Sequence, residues 1–178
     1  GSDETTEYIE LLNIGNLPLD MSGVSFTAGL TFTFPSGAVL QPRARTLVVK
    51  DAAAFAPKFG TGLPVAGSYP NNLSNSGETL TLKTAGGAGI LSFAYSDQPP
   101  WPTAADGDGY SLVLLAPFTN PNPALGANWR ASGALGGSPG VSDVQSYHSW
   151  KTANRNLPGS DDAARDAMIV RVTEPMSF

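Results

Sequence analysis

The sequence lacks cysteine, and this absence excludes disulfide bridges, a thiol nucleophile and thiolate metal sites. It has one histidine, His148, so no metal site can take two imidazole ligands from a single chain. Long apolar runs are also missing, whereas a helix needs about 20 consecutive apolar residues to cross a bilayer. Ten basic residues stand against fifteen acids, giving a net charge of −5. This balance argues against non-specific binding to nucleic acid or to an anionic membrane.

Glycine and proline are abundant, with 20 and 15 copies among 178 residues. This composition favours short strands separated by turns over long helices. Because 41% of the residues are hydrophobic, the chain is too apolar for a disordered or collagen-like protein. The opening Gly1-Ser2 is typical of a tag remnant, which leaves open the removal of a native signal peptide.

Short strands are predicted along most of the chain. In one of them, Leu30–Phe34, large apolar residues alternate with threonines, which places the apolar side chains on one face toward a core. Thr46–Lys50 is β-branched and apolar throughout, as expected of a strand covered on both faces. The other predicted strands are Tyr8–Asn13, Val24–Thr27, Glu78–Thr84, Ile90–Tyr95 and Tyr110–Leu115.

One helix of one or two turns is predicted in the first half of the chain. Asp51 can cap its N-terminus, and Phe55 and Phe59 lie four residues apart on one face. Gly60 suits the position after the last turn, and Pro57 limits the length. Regular strands with so little helix between them predict an all-β protein, an antiparallel sandwich or barrel.

The composition changes after Gly140, which predicts a domain over residues 4–142 and an extension over 143–178. The extension contains a helical stretch over Val144–Asn154 and a polar linker over Asn154–Asp166, followed by a β-rich end. The length of the chain suits this division into one domain and an extension.

Six groups of residues follow one another in an order typical of a known family. They are Glu7–Asn13 with Pro18–Val24, Phe34–Gly37 with Leu47–Val49, Leu73–Glu78, Trp101-Pro102 with Ala105–Leu112, Asn128–Ser132, and Gly136–Gly140. Together they resemble the bacterial branch of the lamin tail domain family over about residues 7–140. The resemblance implies an immunoglobulin-like β-sandwich, in agreement with the predicted strands.

The resemblance also carries expectations about function. Members of this family are not known as enzymes, and bacterial copies typically sit in large exported or surface proteins. We therefore expect a non-catalytic module for adhesion, spacing or protein association, secreted or exposed on the cell envelope. Its partner, a protein or a surface polymer, is unknown. Eukaryotic relatives bind chromatin, but this acidic chain lacks a basic stripe, so we expect no nucleic-acid partner and no membrane insertion.

The sequence offers little to support catalysis. A Ser-His-Asp triad would need His148, which lies in the extension, and no G-x-S-x-G elbow is present. Asp97 with Asp106 or Asp108 could form an acid pair for glycoside cleavage. Acids next to glycine are far more often turn formers, so no catalytic residue is predicted.

Calcium is the best-supported cofactor, and two interpretations of its candidate loop remain open. Asp106-Gly107-Asp108-Gly109 places two carboxylates at alternate positions, with glycines that allow the loop to curl around an ion. Asp97 is a third candidate ligand, across a proline-rich segment. The alternative is that Asp106 and Asp108 cap turns that lead into the strand at Tyr110.

Aromatic residues raise carbohydrate binding as an alternative function. Exposed rings of Trp101, Trp129 or Tyr95 could stack on sugar faces, and Trp101 is the candidate ligand-binding residue. A large aromatic between two prolines more often seals the end of a sandwich.

Two charged residues are expected to be paired within the fold. Glu10 lies in an otherwise apolar strand, so we expect a buried or half-buried partner for it. Arg130 is expected to lie over an aromatic ring or to pair with an acid such as Glu10.

The end of the chain carries one more strand signal, in Met168–Thr173, where side chains alternate as in a strand with one buried face. In the family, a similar strand precedes the segment that matches Glu7–Asn13, and here it is missing from the N-terminus. We predict that residues 168–174 pair beside Tyr8–Asn13, either within the chain or in a strand-exchanged homodimer. The linker spans at most about 40 Å, which leaves both routes open. The alternative is that this segment begins a further repeat.

Overall fold

A computed structural model describes residues 4–143, which form eleven strands and one α-helix. The strands are β1 (Tyr8–Leu12), β2 (Leu19–Asp20), β3 (Ser25–Ala28), β4 (Phe32–Thr33), β5 (Val39–Leu40), β6 (Arg45–Val49), β7 (Val65–Ser68), β8 (Thr79–Lys83), β9 (Gly89–Ala94), β10 (Tyr110–Leu114) and β11 (Trp129–Leu135). The helix α1 (Ala52–Phe59) connects β6 to β7. Short 3₁₀ turns cover Glu4–Thr6, Thr103–Ala105, Pro117–Thr119 and Gly126–Asn128.

The strands of the described residues form two larger sheets and two ribbons. One sheet has the order β1-β6-β7 and the other the order β4-β3-β8-β9, while β2 pairs with β5 and β10 pairs with β11. All pairs are antiparallel except β6 with β7, which is parallel. The predicted all-β fold, built of antiparallel sheets with one short helix, is confirmed.

The main core lies between the two larger sheets. Val48 comes from the first sheet, and Phe26 and Leu82 come from the second; all three are buried. Leu30 and Phe34 are 1% and 2% exposed and join this core, as their alternation with threonine predicts. The apolar faces of two sheets thus close on each other, which is the arrangement of a sandwich.

A second, smaller core covers the other face of the β1-β6-β7 sheet. Leu47 and Val49 on β6 pack there against Phe55 of α1, and the ring of Tyr8 meets Phe55 edge-on. Val48 points to the main core, so β6 is covered on both faces as predicted. A strand between two apolar layers requires such a continuous apolar run.

The helix α1 follows its local sequence signals. Asp51 caps it, accepting hydrogen bonds from the backbone N–H groups of Ala53 (2.7 Å) and Ala54 (3.2 Å). At the other end Gly60 donates its N–H to the Ala56 carbonyl at 2.9 Å. Pro57 lies inside the helix, which is eight residues long, so the predicted length of one or two turns is confirmed.

Several elements differ from the predicted strands. The predicted strand Leu30–Phe34 is reduced to β4, two residues long. β7 and β11 were not predicted, because both are rich in glycine and small residues and neither alternates in hydrophobicity. Their pairing with distant segments stabilises them instead.

The predictions for residues after 143 lie outside the described residues. These are the helix over 144–154, the linker over 154–166, the strand over 168–174, and His148. In the part of the chain from residue 4 to residue 143, no helix is long and apolar enough to cross a membrane.

Candidate functional site

Two of the three predicted calcium ligands line one shallow pocket. Asp97, after β9, and Asp106, after the 3₁₀ turn Thr103–Ala105, border a depression of about 50 Å³. The other lining residues are Asn75, Tyr95, Ser96, Pro102, Ala105 and Leu112. The structure thus places two residues that are nine positions apart in sequence at the border of one pocket.

Asp108 does not join this pocket, and the loop conformation explains why. The Asp106 N–H donates to the Thr103 carbonyl at 3.0 Å and closes the 3₁₀ turn. Gly107 and Gly109 then adopt left-handed φ values of 83° and 82°, where a side chain would be strained. Asp108 lies between these two reversals and is exposed to solvent.

The calcium assignment remains a prediction. Among residues 4–143 no group of three or more His, Cys, Asp or Glu side chains comes close enough to hold a metal ion. Calcium takes six to eight oxygen ligands, so Asp97 and Asp106 would need help from carbonyl, amide or hydroxyl oxygens. Titration calorimetry tests it: heat on adding calcium, lost in Asp106→Asn, would support the site, and no heat and no thermal shift would contradict it.

The Trp101 side chain is packed inside the fold and is not exposed to solvent. Its residue exposure is 8%, and its ring centroid lies 5.7 Å from that of Trp129, whose ring in turn stacks on Phe93 at 5.8 Å. A Cβ at Gly126 would lie 2.9 Å from the Trp101 ring, so backbone covers it closely. This packing favours the alternative in which Trp101 closes the end of the sandwich over a sugar-stacking role.

Tyr95 is likewise committed to internal contacts. Its hydroxyl donates to the Ser74 carbonyl at 2.7 Å and lies 3.1 Å from Glu78 Oε1. Burial, and then the charge of Glu78, raise the pKa of Tyr95 above its usual range. Glu78 also accepts from the Ser74 backbone N–H at 2.7 Å. Together these contacts hold the polar loop before β8 against the end of β9.

Glu7 anchors the start of the same loop. It accepts a hydrogen bond from the Leu73 backbone N–H at 3.1 Å and another from the Tyr69 hydroxyl at 3.4 Å. Burial raises the pKa of Glu7, and the Leu73 and Tyr69 hydrogen bonds oppose that rise. Tyr69 is 2% exposed, so this carboxylate meets a buried phenol at the edge of the main core.

Glu10 has the half-buried partner that was predicted, but the partner is not Arg130. Its Oε1 accepts from Arg45 Nε at 2.9 Å, and its Oε2 accepts from the Gly140 N–H at 2.7 Å. Burial raises the pKa of Glu10, which the Gly140 hydrogen bond and Arg45 counteract. Glu10 and Arg45 lie on neighbouring strands, and the β1–β6 register brings them close; Glu10 is opposite Leu47, two positions from Arg45.

Arg130 pairs with an acid, as predicted, but that acid is Asp143 and not Glu10. The Asp143 side chain is 7% exposed and accepts from Arg130 Nη1. It also accepts from the Gly133 N–H at 3.0 Å and from Ser138 Oγ at 2.9 Å. Both oxygens of the Asp143 carboxylate therefore accept hydrogen bonds from β11 or from the segment that follows it. The predicted domain boundary, between residues 142 and 143, falls immediately before it.

Residues 136–143 follow β11 and form hydrogen bonds with side chains of β1; we call this segment the C-terminal clasp. The Tyr8 hydroxyl donates to the Gly136 carbonyl at 3.2 Å, and Ser111 Oγ donates to the same oxygen at 3.0 Å. Gly137 has a left-handed φ of 88°, and a Cβ there would overlap the Tyr8 hydroxyl oxygen. The clasp therefore lies against the face of β1 that carries Tyr8 and Glu10.

Sequence reasoning did not find the anchoring roles of Glu7, Glu78 and Asp143. Glu7 accepts the backbone N–H of Leu73, 66 positions later, Glu78 that of Ser74, four positions earlier, and Asp143 that of Gly133 in β11, ten positions earlier. Isolated acids in polar segments carry no spacing signal for such contacts.

No family model matches this chain, and neither does any curated protein.

Proposed function

We propose that this chain is a non-catalytic, lamin-tail-like immunoglobulin module of a larger exported bacterial protein, serving adhesion, spacing or protein association. One observation carries the proposal: four partly buried carboxylates each accept a backbone N–H, from a loop residue in three cases and from Gly133 of β11 in the case of Asp143, which itself lies in a loop. They are Glu7, Glu10, Glu78 and Asp143. These hydrogen bonds hold loops on a two-sheet scaffold. Rigidly held loops on such a scaffold are the usual location of binding surfaces.

The same observation bears on catalysis. None of these four carboxylates lines the pocket at Asp97 and Asp106, and each is instead occupied by hydrogen bonds to the protein. The proposal is tested by incubating the purified chain with chromogenic phosphoester and glycoside substrates. Turnover that is lost in Asp106→Asn, with the fold retained by circular dichroism, would contradict it. A purified envelope protein or polymer that binds saturably, with no turnover, would support it.

Location is a separate part of the proposal. Fractionation of the producing bacterium, followed with an antibody against this chain, should recover it in the medium or the cell envelope. Recovery only in the cytoplasm would contradict export while leaving the binding proposal open to the test above.

Carbohydrate binding is the alternative function, and the packing of Trp101 gives it less support. A glycan array with the purified chain separates the two. Hits that disappear in Trp101→Ala but persist in Phe118→Ala, which removes an aromatic that is 52% exposed, would favour the carbohydrate alternative. An array without hits would favour protein association.

The proposal includes the pairing of residues 168–174 beside β1. Within the described residues β1 is paired on one side only, with β6, over five consecutive positions from Tyr8 to Leu12. Its other side is an edge at which a further strand can add. Deleting residues 167–178 should lower the melting temperature if the strand pairs within the chain. It should also abolish a dimer if the strand is exchanged between copies. Unchanged stability and oligomeric state would contradict the pairing.

A further inference from the structure

Left-handed backbone at residues other than glycine is concentrated at one place on the surface. In the described part of the chain three such residues occur: Arg43 with a φ of 61°, Ala116 with 44° and Asn120 with 51°. The Arg43 guanidinium lies over the ring of Phe118, 4.5 Å from its centroid. Phe118 is two residues from Ala116 and two from Asn120. Arginine and alanine adopt this backbone at a cost, and strained backbone clusters at ligand-binding sites.

Arg43 occupies a turn position that usually takes a different residue. The Ala44 N–H donates to the Gln41 carbonyl at 3.1 Å and closes a turn in which Pro42 is second and Arg43 third. A turn with proline second and a positive φ third is of type II, where glycine or asparagine normally stands third. Glycine would therefore suit this backbone better than arginine does. What Arg43 adds is its side chain.

The Arg43 side chain is held in place at the surface. Its Nη2 donates to Asn16 Oδ1 at 3.1 Å, while Phe118 covers one face of the guanidinium. Asn16 belongs to a turn fixed by Asn13, which is 2% exposed and donates from Nδ2 to the Leu17 carbonyl at 2.9 Å. Among residues 4–143 no other group accepts a hydrogen bond from the guanidinium, so its remaining N–H groups are free to donate.

The charge of Arg43 is not neutralised by a neighbour. The other two arginines within residues 4–143 form ion pairs with acids, but no acid there lies within ion-pair distance of Arg43. Lys50 and Lys58 are engaged elsewhere, by a backbone carbonyl and by a hydroxyl. Nucleic acid and anionic membranes attract clusters of cations. A single cation on a chain of net charge −5 suits a single carboxylate.

Large apolar side chains are exposed beside this cation. Phe118 is 52% exposed, and Leu17, which follows Asn16 directly, is 74% exposed. Leu115, three residues before Phe118, is 41% exposed. Arginine and aromatic residues are enriched at protein interfaces. An arginine stacked on an exposed ring therefore favours a protein partner that brings both a negative charge and an apolar group.

We propose that Arg43, Phe118 and Leu17 form a docking site for a protein segment that carries a carboxylate beside a large apolar side chain. The free N–H groups of Arg43 bind the carboxylate, and Phe118 and Leu17 contact the apolar side chain. The turn at Arg43 and its hydrogen bond to Asn16 orient the guanidinium before the partner arrives. This inference rests on the proposed function in protein association and assigns it a surface.

Fluorescence anisotropy with labelled synthetic peptides tests the carboxylate. The peptides carry one central glutamate flanked by leucine, phenylalanine or alanine in all combinations, and the full chain is titrated into each. Peptides with leucine or phenylalanine beside the glutamate should bind, and replacing that glutamate by glutamine should weaken binding by about tenfold or more. A set in which no peptide binds, or in which glutamine binds as well as glutamate, would overturn the proposal.

Substitutions in the chain locate the contact. Arg43→Gly and Phe118→Ala should each weaken binding by about tenfold. Lys83→Gln on β8 and Ile90→Ala on β9, which removes a side chain that is 51% exposed, are the matched controls and should bind like the wild type. Binding retained in Arg43→Gly, or lost equally in the controls, would overturn the site.

The melting temperature of Arg43→Gly separates docking from a structural role. Because glycine relieves the left-handed strain, this variant should melt at the wild-type temperature or above it. A melting temperature several degrees lower would show that the Arg43 side chain serves the fold, and it would overturn the proposal. An envelope protein that binds the wild type and Arg43→Gly equally would also overturn this site, while leaving the proposed function intact.

Discussion

The C-terminal clasp and the loop from Asp97 to Gly109 are built from similar residues but use them differently. Both are rich in glycine and both contain aspartate. In the clasp region, Glu10 and Asp143 accept backbone N–H groups and pair with arginines. In the loop, Asp106 and Asp108 are exposed, and within residues 4–143 no backbone N–H donates to their carboxylates. Acidic side chains thus hold backbone in the clasp region, where backbone N–H groups donate to them, and remain exposed to solvent in the loop.

We expect the largest effect on stability from a substitution at Asp143. Replacing Asp143 by alanine leaves the Gly133 N–H without its side-chain acceptor and removes the carboxylate partner of Arg130 from a nearly buried site. Removing one partner of a buried ion pair costs about 3 to 5 kcal/mol, and we expect the lower end because Arg130 is 20% exposed. Urea unfolding measures the change in the free energy of unfolding.

Asp106→Ala is the matched variant in the other loop. An exposed carboxylate without backbone donors should change the free energy of unfolding by no more than about 0.5 kcal/mol. Equal effects of the two substitutions would contradict the distinction between carboxylates that hold backbone N–H groups and carboxylates that are exposed to solvent.

Glycine substitutions should show the next largest effect. Gly137→Ala places a methyl group against the Tyr8 hydroxyl at a left-handed φ, so it should cost about 2 to 3 kcal/mol from backbone strain and a lost hydrogen bond. Gly87→Ala is the control, because Gly87 has a φ of 85° but no atom near its Cβ position. It should cost about 1 to 2 kcal/mol, the strain alone. Thermal and urea unfolding compare the two, and a Gly137→Ala variant no worse than Gly87→Ala would contradict close packing of the clasp on β1.

The smallest effect concerns pH and Glu7. Burial raises the pKa of Glu7 in the fold, so between its unfolded and folded pKa values the folded state binds more protons. Its contribution to stability is therefore full below the unfolded pKa and is lost as pH rises through the folded pKa. Glu7→Gln does not titrate, so the wild type should lose stability relative to this variant as pH rises from acid toward neutral. A gap that stays constant or changes in the opposite direction would contradict the direction of the shift.

Local signals explain which parts of the fold could be predicted. The cap, the aromatic spacing and the terminal glycine of α1 all lie within ten residues, from Asp51 to Gly60, and they predict its bounds closely. β6 could be predicted because burial on both faces requires an uninterrupted apolar run. β7 could not, because its four residues, Val65–Ser68, become a strand only through parallel pairing with β6.

Pairings between distant residues explain the errors at the candidate site. Glu10 was known to need a partner, but the β1–β6 register decides between Arg45 and Arg130, and that register joins residues 35 positions apart. Asp143 lies in a stretch of glycine, serine and proline that is typical of a linker. Nothing near it in sequence indicates that it bonds to the Gly133 N–H.

The central claim is that partly buried carboxylates hold loop backbone in place. Native-state amide exchange at neutral pH tests it directly at Leu73, Ser74 and Gly140, whose N–H groups donate to Glu7, Glu78 and Glu10. We predict that these three loop amides are protected to a degree comparable with strand amides, while those of Gly107 and Gly109 exchange rapidly. Exchange of the three as fast as Gly107 and Gly109 would contradict the claim.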